Sequence, residues 1–199
     1  MAYGGRSATA VPALEAETER LRAQLAEAQR RIAELEAHAD VDPLLEVLNR
    51  RGFERELARS LAYVQRYDAI ASLMFIDLDG FKDVNDRHGH AVGDALLKAV
   101  ATQLTRHVRA SDVVGRLGGD EFGVVMWNVA GPHADEKARG LERLIEQAGI
   151  AHDSARLCVG ASAGVVTLSA AAGVAQLLDA ADRAMYARKR ERQAAAVTR

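Results

Sequence analysis

Hydrophobic and polar positions change their spacing several times along the chain, and each change marks an element. Ala13 to His38 contains no Gly or Pro and is dense in Ala, Leu, Glu, Arg and Gln, all good helix formers. Small or apolar residues recur there in a heptad, with Leu14, Leu21, Ala28 and Leu35 at d and Thr18, Leu25, Ile32 and Ala39 at a. A stripe this narrow predicts a coiled-coil helix over residues 13–41. Glu17 with Arg22, and Arg31 with Glu36, match in sign between chains in parallel register, which favours a parallel dimer over a solvated helix lying on its own domain. The flanks, 1–12 and 194–199, are expected to be disordered.

Asp42-Pro43 predicts a break and a helix restart, since Asp can cap and Pro suits the first helical turn. After Asn49-Arg50-Arg51-Gly52, Phe53, Leu57, Leu61 and Val64 share one face of a helix reaching about Tyr67. The period then shortens. Strands are predicted at Ile70–Leu78, Asp112–Leu117, Phe122–Trp127 and Leu157–Val166, with helices at Asp94–Val108, Asp135–Ala148 and Val174–Arg190. Strand, helix, strand, strand, helix, strand is the split βαβ, or ferredoxin-like, order: an α+β domain over 42–193 with a mostly antiparallel central sheet flanked by helices. In that topology the third strand lies between the first two and starts where the first one ends. The acids Asp77, Asp120 and Glu121 therefore converge on one edge of the sheet.

Composition narrows the class. At 199 residues the chain holds one ordinary domain plus a tail. With 49% apolar and 27% charged residues it is globular, and 26 basic against 28 acidic side chains provide no general field for nucleic acid. A single Cys excludes a disulfide framework and favours a reducing, cytoplasmic setting. Met1–Ala10 lacks the charged-then-apolar order of a secretory signal. The uncharged run from Leu157 to Leu178 contains Gly160-x-x-x-Gly164, but its many small and polar residues read as strand, loop and helix start instead of a membrane span. No GxxxxGK[ST] loop is present, so P-loop nucleotide binding is excluded.

Candidate chemistry centres on the convergent acids. Asp77 and Asp79 close an apolar strand and alternate onto one face. Alone they would read as turn residues. With the Gly118-Gly119-Asp120-Glu121-Phe122 hairpin they form a cluster suited to a hard cation such as Mg²⁺ (or Mn²⁺), which keeps positions open for water and phosphate oxygens. His88 and His90 form an H-x-H with no third ligand, so a loop role is expected.

This pentapeptide and its surroundings resemble the GGDEF family of bacterial diguanylate cyclases. Support comes from Asn49-Arg50-Arg51-Gly52-Phe53, from the run Phe75 to Asp86, from Gly89-His90 and Gly93-Asp94, and from Ala181-Asp182-Arg183-Ala184-Met185-Tyr186, together covering about Asp40 to Gln193. The resemblance implies a palm-type nucleotidyltransferase that condenses two GTP into cyclic di-GMP with release of two pyrophosphates, at the interface of a homodimer. It implies Asp77, Asp120 and Glu121 as catalytic and Mg²⁺-binding residues, with the Leu78 carbonyl as a further ligand. A carboxylate of the cluster would help deprotonate the attacking hydroxyl. Gly80, Phe81, Lys82 and Lys189 would hold phosphates, and Asn85 and Asp94 would read guanine, whose N1 and N2 hydrogens suit a carboxylate and an amide. Taken singly, Lys82 reads as a solvated charge, Asn85 as a turn residue and Asp94 as a helix cap. Arg109-x-x-Asp112 matches the family's inhibitory product site, with Arg143 as an added contact; an ordinary ion pair is the plainer alternative.

Two departures limit the transfer. Leu45-Glu46-Val47-Leu48 stands where the family shows Leu-Thr-Gly-Leu, and Gln193 stands where a phosphate-binding Arg is expected, leaving Arg190 or Arg192 to reach the triphosphate. The alternative is a catalytically inactive module that binds cyclic di-GMP or GTP as an effector. No membrane partner and no nucleic acid is expected, and the sequence names no input signal.

Overall fold

A computed structural model of the chain describes residues 15, 17–27, 29, 31, 40–152 and 155–197, the last three by backbone alone. It separates into two units, Met1–Ala39 and Asp40–Arg199. In the first, the described residues are helical and exposed, including the seam residues Leu21 and Leu25 at 53% and 59%. Glu17 pairs with Arg20 within the helix, at 2.8 Å. Leu14, Ala28, Ile32, Leu35, Glu36 and Ala39 of the expected heptad, and the expected disordered residues 1–12, lie outside the described residues.

The second unit opens with a turn where a helix restart was expected. The Asp42 carboxylate accepts from the amides of Leu44 (2.9 Å) and Leu45 (3.0 Å). Val41 bridges back to Leu48, and Glu46 adopts a left-handed φ of 57°. Two amides that would start a helix are thus captured by a local carboxylate, and the chain folds back on itself. Helix α1 (Arg50–Tyr67) follows, with Asn49 accepting from the Gly52 amide as its cap. It buries Phe53, Leu57, Leu61 and Val64 on one face, as the period predicts.

Four strands, β1 (Ala71–Asp79), β2 (Val113–Arg116), β3 (Glu121–Trp127) and β6 (Gly160–Thr167), form an antiparallel sheet in the order β2-β3-β1-β6. Helices α2 (Phe81–His88), α3 (His90–His107), α4 (Pro132–Glu146) and α5 (Val174–Val197) complete the mixed α/β unit, with a separate hairpin of β4 (Ile150–His152) and β5 (Ala155–Leu157). The expected strand Leu157–Val166 therefore begins at Gly160, and the helix expected from Asp94 begins at His90. Helix α2 was not foreseen: it buries only Phe81 and shows no apolar repeat.

Alternation along β1 divides the core and sets the site. Met74, Ile76 and Leu78 pack with Leu96, Val100, Leu104, Leu141 and Ile145 of α3 and α4. Leu73 and Phe75 pack with Phe53, Leu57, Leu177 and Ala181 of α1 and α5. By the period of two, Asp77 and Asp79 continue the second face. Gly164 of β6 lets α5 lie directly on the sheet, since a Cβ there would strike the backbone of Ala181 and Met185. The small-residue spacing noted in the sequence thus serves strand-to-helix packing. Among the described residues no helix is long and apolar enough to cross a membrane.

The outer edge of β6 is closed by a buried side chain. Glu142, 2% exposed, accepts from the Ala163 amide at 3.0 Å and from Arg188 at 3.2 Å. Removing it leaves an edge-strand amide without its acceptor and takes the buried carboxylate from Arg188, which keeps only a 3.7 Å contact to exposed Glu191. We expect Glu142→Ala to lower unfolding free energy by about 3 kcal/mol in urea titrations, and Glu142→Gln, which keeps an acceptor for Ala163, to cost less. Equal losses for the two variants would contradict this role.

Candidate active site

The register brings the acids together. Asp77 lies opposite Glu121 across β1 and β3, and opposite Ser162 across β1 and β6. Side chains directly opposed on one face sit about 5 Å apart. The Leu78 amide donates to the Asp120 carbonyl at 3.2 Å. Because the Leu78 side chain is buried at 1% exposure, only its backbone faces the site.

Two arginines fix the hairpin, neither singled out from the sequence. Arg116 donates to the carbonyls of Gly118 (3.0 Å) and Gly119 (2.8 Å) and pairs with Asp42 at 3.1 Å. Arg50 donates to the Leu117 carbonyl at 3.1 Å. A Cβ on Gly118 would collide with the Glu121 carboxylate, whereas nothing lies within 4 Å of one built on Gly119. The first glycine clears a side chain and the second leaves space for a ligand to approach. The colliding atoms end a flexible side chain, so we expect Gly118→Ala to change stability by less than about 1 kcal/mol yet cut activity more than tenfold by displacing Glu121. A folded, fully active Gly118→Ala enzyme would contradict this placement.

The electrostatics are those of crowded carboxylates. Burial first, then the Asp77 charge, raises the Asp120 carboxyl above its ordinary range. Burial and the Asp120 charge raise Glu121, with Arg50 opposing and Asp77 and Asp182 adding to the rise. From α5, Lys189 bonds Asp77 and stands 3.6 Å from Asp79. These contacts outweigh the burial that would depress its ammonium and hold it above the usual lysine range. Ser162 donates to Asp79 at 2.9 Å. Glu121 also borders a cavity of about 510 Å³ lined by Arg50, Glu54, Phe75, Asp179 and Asp182. Asp182, Ser162 and the two arginines are site residues that sequence reasoning missed. Arg50 and Asp182 lay within quoted motifs, but only the fold shows them beside Glu121.

This donor set suits a hard divalent cation in an open site. The acids are mutually repelled and already draw the Lys189 ammonium. Among the described residues no three His, Cys, Asp or Glu side chains close into a ready metal cage, so an ion here would keep water or substrate oxygens as ligands.

Just past Asp79, Gly80 turns the chain with φ 80° and begins α2 with no side-chain cap. The first amides of α2, including those of Phe81 and Lys82, are thus available as donors at a helix N-terminus. Lys82 is exposed. The Asn85 side chain packs against Gly93, with its Oδ1 buried and unbonded, and the adjacent Asp94 is exposed in the second turn of α3, not at its cap. Arg192 comes within 3.7 Å of Asp79 and also pairs with Glu142 and Glu146. Arg190 is exposed. His88 and His90, expected in a loop, instead end α2 and begin α3 around Gly89, and His88 meets His152 at the end of β4 edge-on at 5.3 Å.

Arg109 and Asp112 lie elsewhere. Asp112 accepts from the amides of Arg109 (2.9 Å) and Trp127 (3.0 Å) and from Lys137 (3.0 Å). Those bonds outweigh its burial and hold its carboxyl below the ordinary range. The α4 residue that reaches Asp112 is therefore Lys137. Arg143 is exposed about 9 Å further along the helix axis, with no ion pair among the described residues, and the structure does not bring it to this group.

Comparison with known proteins agrees with this geometry. The family model described as "Diguanylate cyclase, GGDEF domain" matches residues 39–195. Diguanylate cyclase TpbB of Pseudomonas aeruginosa is 35% identical over 161 residues, covering 80% of this chain and 37% of TpbB. "Probable diguanylate cyclase DgcE" of Escherichia coli is 44% identical over 100 residues, covering 50% of this chain. The chain spans only 9% of DgcE. The crystal structure of a sensory box/GGDEF family protein from Caulobacter crescentus superposes with a TM-score of 0.70 at 35% identity, covering 76% of this chain and 99% of that one. The hairpin, the strand register and the family match converge, and the chain belongs to the GGDEF family.

Proposed function

We propose that the chain is a diguanylate cyclase that joins two GTP molecules into cyclic di-GMP and releases two pyrophosphates. The observation that carries the reading is the pairing of Asp77 with Glu121 beside the uncapped N-terminus of α2. Acids for a cation thereby adjoin amides for phosphate. Asp77, the Leu78 carbonyl, Asp120 and Glu121 would hold Mg²⁺ or Mn²⁺, which when bound supplies Lewis-acid stabilisation of charge on the phosphoryl oxygens.

The amides around Gly80 and Phe81, with Lys82 and Lys189, hold the triphosphate. Lys189 must exchange part of its contact with Asp77 for phosphate oxygen, a short movement on a flexible stem. Asn85 and Asp94 read the guanine edge, and the buried, unbonded Asn85 Oδ1 is an acceptor that a guanine donor reaches after a small rotation. In each condensation the 3′-oxygen of one nucleotide forms a bond to the α-phosphorus of the other, and the bond to pyrophosphate breaks. A carboxylate of the cluster, with Glu121 placed opposite Asp77 by the register, takes the hydroxyl proton.

One chain offers one half-site, so two copies must face each other. A parallel pair of helices over 13–41 would raise the effective concentration of one catalytic domain, 42–193, for its partner. The exposed Leu21 and Leu25 support that pairing. Product binding at Arg109 and Asp112 would inhibit the enzyme.

Incubating the purified chain with Mg²⁺ and GTP or ATP, followed by mass spectrometry of products, tests the reading. Cyclic di-GMP from GTP, no cyclic product from ATP, and loss of product in Asp77→Ala are expected. Inert GTP in a dimeric preparation would favour the effector-binding alternative instead.

A further inference from the structure

Helix α5 offers the acid pair two different groups. Lys189 bonds Asp77 and stands 3.6 Å from Asp79. Asp182 lies two turns earlier on the same helical face, about 10 Å back along the axis. It borders a cavity of about 510 Å³ that also touches Glu121. Asp77 and Glu121, opposed across β1 and β3, therefore have a cation to one side and an acid with open space to the other.

The nucleotide of the half-site itself points elsewhere. Phe75 lines the cavity, and by the period of two it shares the sheet face of Asp77. Phe81 of α2 packs in the opposite core, with Met74, Ile76 and Leu78, so a base read at Asn85 and Asp94 extends over the other face. Phe75, Val174 and Leu178 give the cavity apolar walls. Arg50 is held there by the Leu117 carbonyl at 3.1 Å and by Glu54 at 3.0 Å. Asp182 is exposed and makes no ion pair among the described residues. An apolar cleft of this size with a few fixed polar groups suits a nucleoside.

We propose that this cavity receives the ribose of the attacking nucleotide, the one held by a second copy of the chain, and that Asp182 accepts a hydrogen bond from its 2′-hydroxyl. The proposal rests on the diguanylate cyclase reading and deepens it by naming where the second substrate lies. In-line displacement puts the entering 3′-oxygen and the departing pyrophosphate on opposite sides of the α-phosphorus. With pyrophosphate toward Lys189, entry is from the side of Glu121 and Asp182. The 3′-oxygen bonds to phosphorus, its proton passes to a carboxylate of the cluster, and the bond to pyrophosphate breaks. The neighbouring 2′-hydroxyl then faces the cavity wall. An ionised carboxylate only accepts hydrogen bonds, and an acid selects the ribose 2′-hydroxyl in dinucleotide-binding folds by the same chemistry. Arg50 presents a flat guanidinium on which the adjoining base can lie.

The test compares GTP with 2′-deoxy-GTP as substrates of the full chain in Mg²⁺, for wild type, Asp182→Ala and Asp182→Asn. Wild type should form cyclic product from GTP about tenfold faster than from 2′-deoxy-GTP, the scale of one hydrogen bond to a charged group. In Asp182→Ala the GTP rate should fall by about the same factor while the 2′-deoxy-GTP rate holds. Asp182→Asn, whose amide oxygen still accepts, should fall between. Calorimetric affinity for 3′-deoxy-GTP, which fills the half-site but cannot attack, should stay within about twofold of wild type in both variants. Far-ultraviolet circular dichroism confirms that variants at this exposed position fold. Equal losses on the two substrates, or an unchanged GTP rate in Asp182→Ala, would overturn the ribose contact. Weakened 3′-deoxy-GTP binding would overturn it too, placing Asp182 against the half-site's own nucleotide. Wild type that makes no cyclic di-GMP from GTP would reject the enzyme reading itself, and the ribose site with it.

Discussion

Glu121→Gln is expected to slow cyclic di-GMP formation by about 10²–10³-fold, the usual scale for removing one positioned charge from a site that stabilises developing negative charge. The substitution keeps the shape and the β1–β3 register, in which residue 121 faces Asp77. It removes a cation ligand and a proton acceptor together. Stability should move the other way. Burial and the Asp120 charge raise the Glu121 carboxyl, so the folded chain holds this charge at a cost that a neutral amide avoids. The measurements are product formation per enzyme and a urea unfolding curve. A variant that is both slower and less stable would indicate that Glu121 supports the hairpin and does not act on substrate.

Divalent cation should stabilise the fold, and should do so more at neutral than at acid pH. Asp120 and Glu121 have raised carboxyls. Their contribution to stability is therefore fully present below the unfolded carboxylate value and is lost as pH rises through the folded value. Once both are ionised the cluster repels itself, and Mg²⁺ relieves that repulsion. At ten times its dissociation constant the ion adds about 1.4 kcal/mol, roughly 4 °C in melting temperature for a domain of this size. Near pH 5 protons compete for the same oxygens and the shift should shrink. Asp112 works in the opposite sense: its lowered carboxyl supplies stability above the unfolded value that is lost as pH falls through the folded one, marking the acid side of the optimum. Thermal unfolding with and without MgCl₂ at pH 5 and pH 7.5, on wild type and Asp77→Ala, checks the argument. An equal shift at both pH values, or one that persists in Asp77→Ala, would contradict it.

The elements most legible in the sequence were those whose apolar spacing is strong. The α1 face of Phe53, Leu57, Leu61 and Val64 is buried as the period required, and the order of strands placed Asp77 beside Glu121. Helix α2 escaped because its eight residues bury only Phe81: its ends are set by Gly80 and Gly89, whose left-handed backbones carry no hydrophobic signal. The Asp42 turn escaped for a related reason. An Asp followed by Pro caps a helix or a turn equally well, and burial of Leu45 and Val47 decides between them only in three dimensions. The hairpin β4–β5 is made of two three-residue strands, too short for any period to register.

The site divides the same way. The acids carried a motif, but their supports Arg50, Arg116, Ser162 and Asp182 come from four separate elements or junctions and meet only after folding. Arg143, expected as an added product contact, lies on the same helix as Lys137, and only folding shows that it is Lys137 that pairs with Asp112, at 3.0 Å. Composition alone cannot separate two cations on one helix.

The most direct test of the central claim, that the end of β1 and the glycine hairpin jointly hold a divalent ion against guanosine triphosphate, is the anomalous scattering of Mn²⁺ in crystals grown with a non-reactive GTP analogue. A peak is predicted within about 2.4 Å of the Asp77 carboxylate and the Leu78 carbonyl, with Glu121 or Asp120 completing the protein ligands and nucleotide phosphate on its open side. An ion bound instead among Asp179, Asp182 and Glu54, or a nucleotide seated away from α2, would contradict it.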